Sequence, residues 1–207
     1  MTKLHNIFIL MVFGMVTSGF AEWLVPVNYP HRDRVNEVKL SAIGAFGLPR
    51  KARATVPAHL HTGVDILRPT GNYDQEPIHP AHAGRIISIL DDGPYSYVVL
   101  EHQTAQGICW TLYEHFHVLV HTLGQQVNTN DTLGYYFNKR ELNVHGWQFD
   151  HVHFEVMKVA PPVMKPTARA PLRAYGSYTI TTYTKQDLDR RLENPLHFLQ
   201  QHVQDTP

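Results

Sequence analysis

The chain has 207 residues, of which 43% are hydrophobic and 17% are charged, a balance typical of one globular domain and not of a disordered segment. Its 18 basic and 18 acidic residues cancel, which argues against a binder of nucleic acid or of anionic membranes. Fifteen histidines accompany a single cysteine, Cys109, so any metal site must use imidazole and carboxylate ligands, and no intramolecular disulfide is expected.

The N-terminus has the pattern of an export signal. Lys3 supplies positive charge, Ile7–Val16 form a short apolar run, and Gly19–Ala21 contain small residues suited to cleavage. The apolar run is too short to span a bilayer comfortably. We therefore predict a signal peptide over residues 1–21, a mature protein that starts near Glu22, and no stable membrane insertion after the signal is removed.

Residues 22–57 follow as a predicted irregular N-terminal approach segment, because prolines interrupt it repeatedly; only Ala42–Gly47 is predicted to pair as a short strand. From residue 64 to residue 156, short β-rich runs alternate with Gly, Asp, Asn and Pro, which predicts antiparallel strands. The predicted strands are Val64–Leu67, Gly84–Leu90, Tyr95–His102, Gly107–His115, Thr132–Phe137 and Val152–Val156. This spacing predicts a mainly β protein whose antiparallel sheets form a sandwich or an open barrel.

The C-terminal residues predict short helices. Thr184 and Asp187 resemble the start of a capping box, and Leu188 and Leu192 have the spacing of one apolar helix face. Asn194-Pro195 ends this helix and starts a further helical turn. We expect this short C-terminal helical segment to pack on the sheets and to carry no chemistry of its own.

The sequence His-Val-His-Phe-Glu at residues 151–155 carries the first indication of a site. Residues two apart on a strand point to the same face, so His151, His153 and Glu155 should lie on one surface. Two imidazoles on one face favour a shared zinc ion, although chance pairs also occur in a chain with 15 histidines. Glu155 is then either a solvated strand residue or a partner that orients a metal ligand.

Two further clusters supply matching side chains. Strand alternation predicts that Tyr113 and His115 share a face and present another imidazole beside the first two. Earlier in the chain, Gly63 lets the backbone bend so that the side chains of His61 and Asp65 converge. One carboxylate and two imidazoles fill three positions of tetrahedral zinc and leave the fourth open for water, which is the composition of a catalytic site.

Taken in order, these elements resemble the M23 family of zinc peptidases, the lysostaphin and LytM type. The H-x-G-x-D element of the family is matched by His61–Asp65, and the T-x-Y-x-H strand by Thr111–His115. The G-Q-x-V element is matched by Gly124–Val127 and the H-x-H-F-E strand by His151–Glu155. The resemblance runs over roughly residues 42 to 157, and the ordered set is far more specific than any one of its motifs.

The resemblance implies a zinc site formed by His61, Asp65 and His153, with His115 and His151 as the catalytic pair beside it. It implies an endopeptidase that hydrolyses stem or cross-link peptides of bacterial peptidoglycan through attack of zinc-activated water. Which of the two catalytic histidines acts as the base, and which stabilises the negative charge of the intermediate, stays open.

The resemblance also predicts where the domain begins and ends in the chain. A LytM-type peptidase core is expected over residues 58–160, and residues 161–207 are expected to form an extension whose short helices pack on that core. The chain departs from the family at Arg50–Thr55, where a basic stretch replaces the common asparagine, and at Pro161–Thr184, which has no counterpart. These departures bear on substrate preference more than on metal binding.

Three other functions compete with that of a peptidoglycan endopeptidase. A non-catalytic LytM-type activator of other wall hydrolases would have no reason to keep all five histidine and aspartate positions together. A histidine-rich metal carrier would not require ordered motifs, and a peptidase acting on a protein substrate would keep the same site. The export signal predicts a periplasmic location, with secretion as the alternative. The expected partners are peptidoglycan peptides and not nucleic acid, and no protein partner can be named.

Overall fold

The computed structural model describes residues 23–203, so the predicted signal peptide and the predicted start of the mature protein lie outside the described residues. Within residues 23–203, no helix has both the length and the apolar character needed to cross a membrane. Most of the described secondary structure is short antiparallel strand, with three short α-helices, as the sequence predicts.

Twelve strands and three α-helices are present in the described part of the chain, beside four short 3-10 helices. The strands are β1 (Pro49–Arg50), β2 (His59–Leu60), β3 (Val64–Leu67), β4 (Pro77–Ile78), β5 (Gly84–Leu90), β6 (Tyr97–Thr104), β7 (Gly107–Glu114), β8 (His117–Val118), β9 (Gln126–Val127), β10 (Gly134–Tyr135), β11 (His151–Met157) and β12 (Leu192–Glu193). The helices are α1 (Lys139–His145), α2 (Lys185–Arg191) and α3 (Pro195–His202).

The largest sheet has seven strands: β12, β11, β7, β6, β5 and β9 follow one another in that order, and β3 pairs with β11 off this path. Strand β11 pairs with β7 along one edge, where His153 lies opposite Glu114 and Phe154 lies opposite Tyr113. The other edge of β11 pairs with β3 through its first half and with β12 through its end. Strand β11 is therefore the central connection between the H-x-G-x-D segment, the T-x-Y-x-H strand and the C-terminal region.

A second sheet of three strands, in the order β4-β10-β8, packs on the first. Buried residues of both sheets belong to one hydrophobic cluster, which includes Ile66, Phe154, Ile78 and Val118. The opposite face of the large sheet is covered by α2, since Leu188 shares a smaller buried cluster with strand residues. The architecture is an open antiparallel sandwich, and the strand order of the described residues does not close into a barrel.

Two sequence predictions of secondary structure need correction. Ala42–Gly47 forms turns and no strand, although its backbone still pairs with the site: the Asp65 N–H donates to the Gly44 carbonyl at 2.9 Å. A Cβ at Gly44 would lie 2.8 Å from the Asp65 Cβ, so only glycine permits this approach. The predicted strand over Thr132–Phe137 shrinks to β10, two residues long.

Helix α1 was not predicted from the sequence. The signal for it was present at Asn138, whose side chain accepts from the Glu141 N–H while Glu141 accepts from the Asn138 N–H. This reciprocal pair is a capping box. The predicted C-terminal helices are confirmed, because Thr184 caps α2 and Asn194 caps α3, with Pro195 in the first turn. The placement of Leu192 on the helix is wrong: α2 ends at Arg191, and Leu192 lies in β12.

Candidate active site

The H-x-G-x-D segment lies against the start of β11. His61 follows β2, Asp65 lies in β3, and both side chains are buried. A Cβ on Gly63 would lie 2.3 Å from the Phe154 carbonyl oxygen, so the glycine is what allows the chain to pass this close to β11. The His61 Nδ1–H donates to the Ala45 carbonyl at 2.9 Å, because a carbonyl can only accept. The lone pair of His61 is therefore on Nε2.

The third member of the cluster is His153, in the middle of β11. Its Nε2–H donates to Glu155 Oε1 at 3.0 Å, so the other ring nitrogen, Nδ1, faces the H-x-G-x-D segment. His153 Nδ1 lies 3.0 Å from Asp65 Oδ1 and 3.0 Å from His61 Nε2. His61 Nε2 is also 3.0 Å from Asp65 Oδ1, so the three atoms form a nearly equilateral triangle.

This triangle fits a metal ion. Zinc–ligand bonds of about 2.0 to 2.2 Å place two ligand atoms of a tetrahedral site roughly 3.3 to 3.6 Å apart, a few tenths of an ångström more than the 3.0 Å between the metal-free atoms. His61 and His153 each turn one ring nitrogen into the triangle and fix the ring through the opposite nitrogen, as metal-binding histidines do. A metal ion would replace the proton on Nδ1 of His153. His61, Asp65 and His153 are thus buried and close enough to hold a metal ion.

The charges of the cluster also suit a cation. Burial by itself would raise the pKa of Asp65, but hydrogen bonds with His153 and His61 outweigh it and hold that pKa well below its usual range. Burial would lower the pKa of His153, but Asp65 and Glu155 outweigh it and raise the pKa to about 10. Burial lowers the pKa of His61. Two carboxylates thus stabilise positive charge at a site closed to solvent.

His115 and His151 lie beside this cluster. The ring centroids of His115 and His151 are 5.1 Å apart, and His115 is 6.1 Å from His153. The Nε2 atom of His151 is 3.6 Å from Asp65 Oδ1. All five side chains that the sequence indicated therefore meet in one place, contributed by the β2–β3 region, the end of β7 and the start of β11.

The way in which His115 reaches the site differs from the prediction. Alternation should have put Tyr113 and His115 on one face, but Tyr113 is fully buried in the core, where its hydroxyl oxygen accepts from the Ala81 N–H at 2.8 Å. His115 has φ 72°, the one positive φ outside glycine in the described residues. This uncommon backbone conformation turns the chain after Glu114 and directs the ring of His115 toward His153.

The protonation of this pair suits proton transfer. The His115 Nδ1–H donates to the Pro94 carbonyl at 2.5 Å, so its Nε2 carries the lone pair. Burial lowers the pKa of His115 to about 4 and that of His151 to about 4. Both rings are therefore neutral near neutral pH, the state in which an imidazole accepts a proton.

Some residues of the site were missed or left undecided from the sequence. Glu155 is fully buried and bonded to His153, so it is not a solvated strand residue. Arg50 Nη2 lies 2.9 Å from Asp65 Oδ2, a contact with no sequence signal because it depends on the pairing of β1 with β2. The ring centroids of Phe149 and His115 are 5.0 Å apart, and those of Tyr95 and Phe149 are 5.8 Å apart. Tyr95 is half exposed, so aromatic side chains border the site.

The fold and the cluster define a metallohydrolase-type site on an antiparallel sandwich, and the comparison with known families agrees. The model of Peptidase family M23 matches residues 59–165. The chain therefore belongs to peptidase family M23. No curated protein sequence matches the chain.

Solved structures with a similar fold include a zinc-containing peptidase from Vibrio cholerae, 22% identical over 57% of this chain and 32% of that chain, with a TM-score of 0.40. Lysostaphin from Staphylococcus simulans is 17% identical over 83% of this chain and 54% of that chain, with a TM-score of 0.47. The lysostaphin catalytic domain is 16% identical over 80% of this chain and 94% of that chain, with a TM-score of 0.44. The chain thus spans about a third of the Vibrio protein and about half of full-length lysostaphin.

Proposed function

We propose that the chain is a zinc-dependent endopeptidase that hydrolyses peptide bonds in peptidoglycan. The observation that carries the proposal is the buried triangle of His61, Asp65 and His153, with two neutral histidines beside it. A family member that served only as an activator would not need this complete arrangement. The peptidoglycan substrate is supported by the resemblance of the ordered motifs to LytM-type enzymes. The predicted export signal supports a periplasmic location, with secretion as the alternative.

In this proposal His61, Asp65 and His153 hold the zinc ion. Bound zinc supplies a Lewis acid that polarises the substrate carbonyl and makes water more acidic. The Nε2 lone pair of His115 accepts the proton of the attacking water and returns it to the leaving amine, because its Nδ1–H is committed to Pro94. His151, whose neutral ring keeps one N–H, donates it to the carbonyl oxygen on which negative charge develops.

The test is digestion of purified sacculi, with the released fragments identified by mass spectrometry. The wild-type protein should release peptide-cleaved muropeptides, lose this activity with a chelator and regain it with added zinc. The matched control is His115→Ala, which should bind zinc and release no fragments. A folded, zinc-loaded wild-type protein that releases nothing from sacculi would overturn the peptidoglycan substrate. If that same protein cleaved an unfolded protein substrate, the enzyme class would stand and the substrate would be corrected.

A further inference from the structure

The carboxylate of Glu155 is the point where several elements meet beneath the metal centre. The side chain is fully buried in β11. Its Oε1 atom accepts from His153 Nε2 at 3.0 Å, from the Thr62 hydroxyl at 2.5 Å and from the Ser177 hydroxyl at 2.7 Å, and the Thr179 hydroxyl oxygen lies 3.1 Å away. A buried carboxylate is costly unless it is hydrogen-bonded and its charge is balanced. These hydroxyls therefore stabilise the buried carboxylate of Glu155.

Thr179 adds a third hydroxyl to this group, and its single proton is shared between Glu155 and the two neighbouring hydroxyls. Thr179 Oγ1 lies 2.8 Å from Thr62 Oγ1 and 2.6 Å from Ser177 Oγ. Ser177 Oγ accepts the Thr179 backbone N–H at 2.9 Å, which leaves the hydroxyl proton of Ser177 free to point at Glu155. Glu155 Oε2, in contrast, has no hydrogen-bond partner among the described residues. All the hydrogen bonds that hold this carboxylate thus go to one oxygen, and the other has no contact that could replace them.

Two of these hydroxyls come from the segment over residues 161–184 that has no counterpart in the family pattern. The segment is fixed on both sides of Ser177 and Thr179. The Tyr175 carbonyl accepts from the Ser88 hydroxyl at 2.8 Å and from the Tyr97 hydroxyl at 2.7 Å. The Thr182 carbonyl accepts from the Leu60 N–H at 2.9 Å. The segment therefore runs from β5 and β6 to β2 and passes the side of Glu155 that supports His153.

We propose that Thr62, Ser177 and Thr179 are positioning residues of the metal centre, which act through Glu155 on His153. The hydroxyls hold Glu155, and Glu155 holds His153 with its Nδ1 atom facing Asp65 and His61. The C-terminal extension is then part of the active site's support and more than a packing element. The inference rests on the proposed function for the identity of the metal. Asp65 and Glu155 together carry the two negative charges that balance one divalent cation.

The experiment measures the zinc dissociation constant of the purified protein by competition with a chromophoric chelator. The double variant Ser177→Ala/Thr179→Val should bind zinc about 10- to 100-fold more weakly, the range found when partners of metal ligands are removed. Ser177→Thr, which keeps a hydroxyl, should stay close to wild type. The matched control is Thr181→Ala, an exposed hydroxyl of the same turn that donates only to the Tyr178 carbonyl.

An unchanged zinc dissociation constant in the folded double variant would overturn the inference, and so would an equal loss in Thr181→Ala. If the double variant does not fold by circular dichroism, the single variant Ser177→Ala carries the same test, with a smaller loss expected. The readout is independent of hydrolysis. Tight zinc binding that these variants weaken, in a protein that cleaves no peptide, would contradict the proposed function and leave this inference standing.

Discussion

Arg50 and Asp65 form an ion pair in which Nη2 lies 2.9 Å from Oδ2, the carboxylate oxygen that does not join the metal triangle. Oδ1 of the same side chain meets His61 and His153. The two carboxylate oxygens of Asp65 therefore have different partners, and Oδ2 is paired with an arginine from the irregular N-terminal segment. The basic stretch that departs from the family pattern thus makes direct contact with a residue of the proposed metal site.

Removal of this ion pair should destabilise the zinc-free protein. Hydrogen bonds to charged groups contribute about 1.5 to 3 kcal/mol, and the side chain of Arg50 is 19% exposed, so we expect Arg50→Ala to cost about 1 to 2 kcal/mol. The measurement is urea unfolding of zinc-free protein. Arg53→Ala is the matched control, because Arg53 is exposed and has no ion pair among the described residues. Equal stability of the two variants would contradict the structural role of the contact.

Two variants should distinguish a histidine that holds zinc from a histidine that acts in catalysis. His153→Ala removes a corner of the metal triangle and should lose most of the bound zinc. His115→Ala should keep zinc and lower kcat by about 100- to 10,000-fold, the usual contribution of a positioned acid or base. Zinc content by elemental analysis and hydrolysis of cross-linked muropeptides are the two readouts. Full activity of His115→Ala would show that the assignment of the catalytic pair is wrong.

A histidine far from the metal centre should make stability depend on pH. His102 is fully buried, donates Nδ1–H to the Ala83 carbonyl at 2.9 Å and accepts from the Thr111 hydroxyl at 2.8 Å. Burial lowers its pKa to about 4. The ordinary value is about 6.5. Because the unfolded chain binds the proton more readily, stability should be fully present above the unfolded pKa and should fall as the pH drops toward the folded pKa.

The expected slope for one such group is at most about 1.4 kcal/mol per pH unit. The check is urea unfolding of wild type and His102→Gln at several pH values in this range. Glutamine keeps a donor and an acceptor but does not titrate, so the free energy of unfolding of His102→Gln should vary less with pH. The same slope in both proteins would show that His102 does not contribute to the acid sensitivity.

Gly63 should tolerate no side chain. A Cβ there would lie 2.3 Å from the Phe154 carbonyl oxygen, so Gly63→Ala must push β3 away from β11. We expect a loss of about 3 kcal/mol or more in the free energy of unfolding, at the upper end for overpacked sites. Gly71→Ala serves as the control, since nothing lies within 4 Å of its added Cβ. Thermal unfolding of both variants decides the matter, and similar midpoints would contradict the close packing of the two strands.

Much of the site could be predicted because its residues sit on regular strands. Strands β3 and β5 have the predicted bounds, and the period of two in β11 correctly placed His153 and Glu155 on one face. The same rule failed for Tyr113 and His115, because it holds only while the backbone stays extended. The positive φ of His115 lies one residue past the end of β7, and no local residue preference signals it.

Other features depend on contacts between distant parts of the chain. Glu155 is buried because the segment of residues 175–182 covers it, and its burial therefore could not be read from β11 alone. Arg50 reaches Asp65 only because β1 pairs with β2. Ala42–Gly47 resembles a strand in composition, but its glycines form turns that bring the backbone against Asp65. The sequence motifs indicated which side chains form the candidate site. The contacts that fix those side chains come from distant parts of the chain.

X-ray absorption at the zinc edge of the zinc-loaded protein identifies the atoms that hold the metal ion. We expect one zinc per chain with two imidazole nitrogens and one carboxylate oxygen from the protein at about 2.0 to 2.2 Å, completed by solvent. The number of imidazole ligands of zinc in the spectrum should decrease in His61→Ala and stay unchanged in His115→Ala. A spectrum without imidazole scattering, or one in which His115→Ala loses a ligand, would contradict the assignment of His61, Asp65 and His153 as the metal centre.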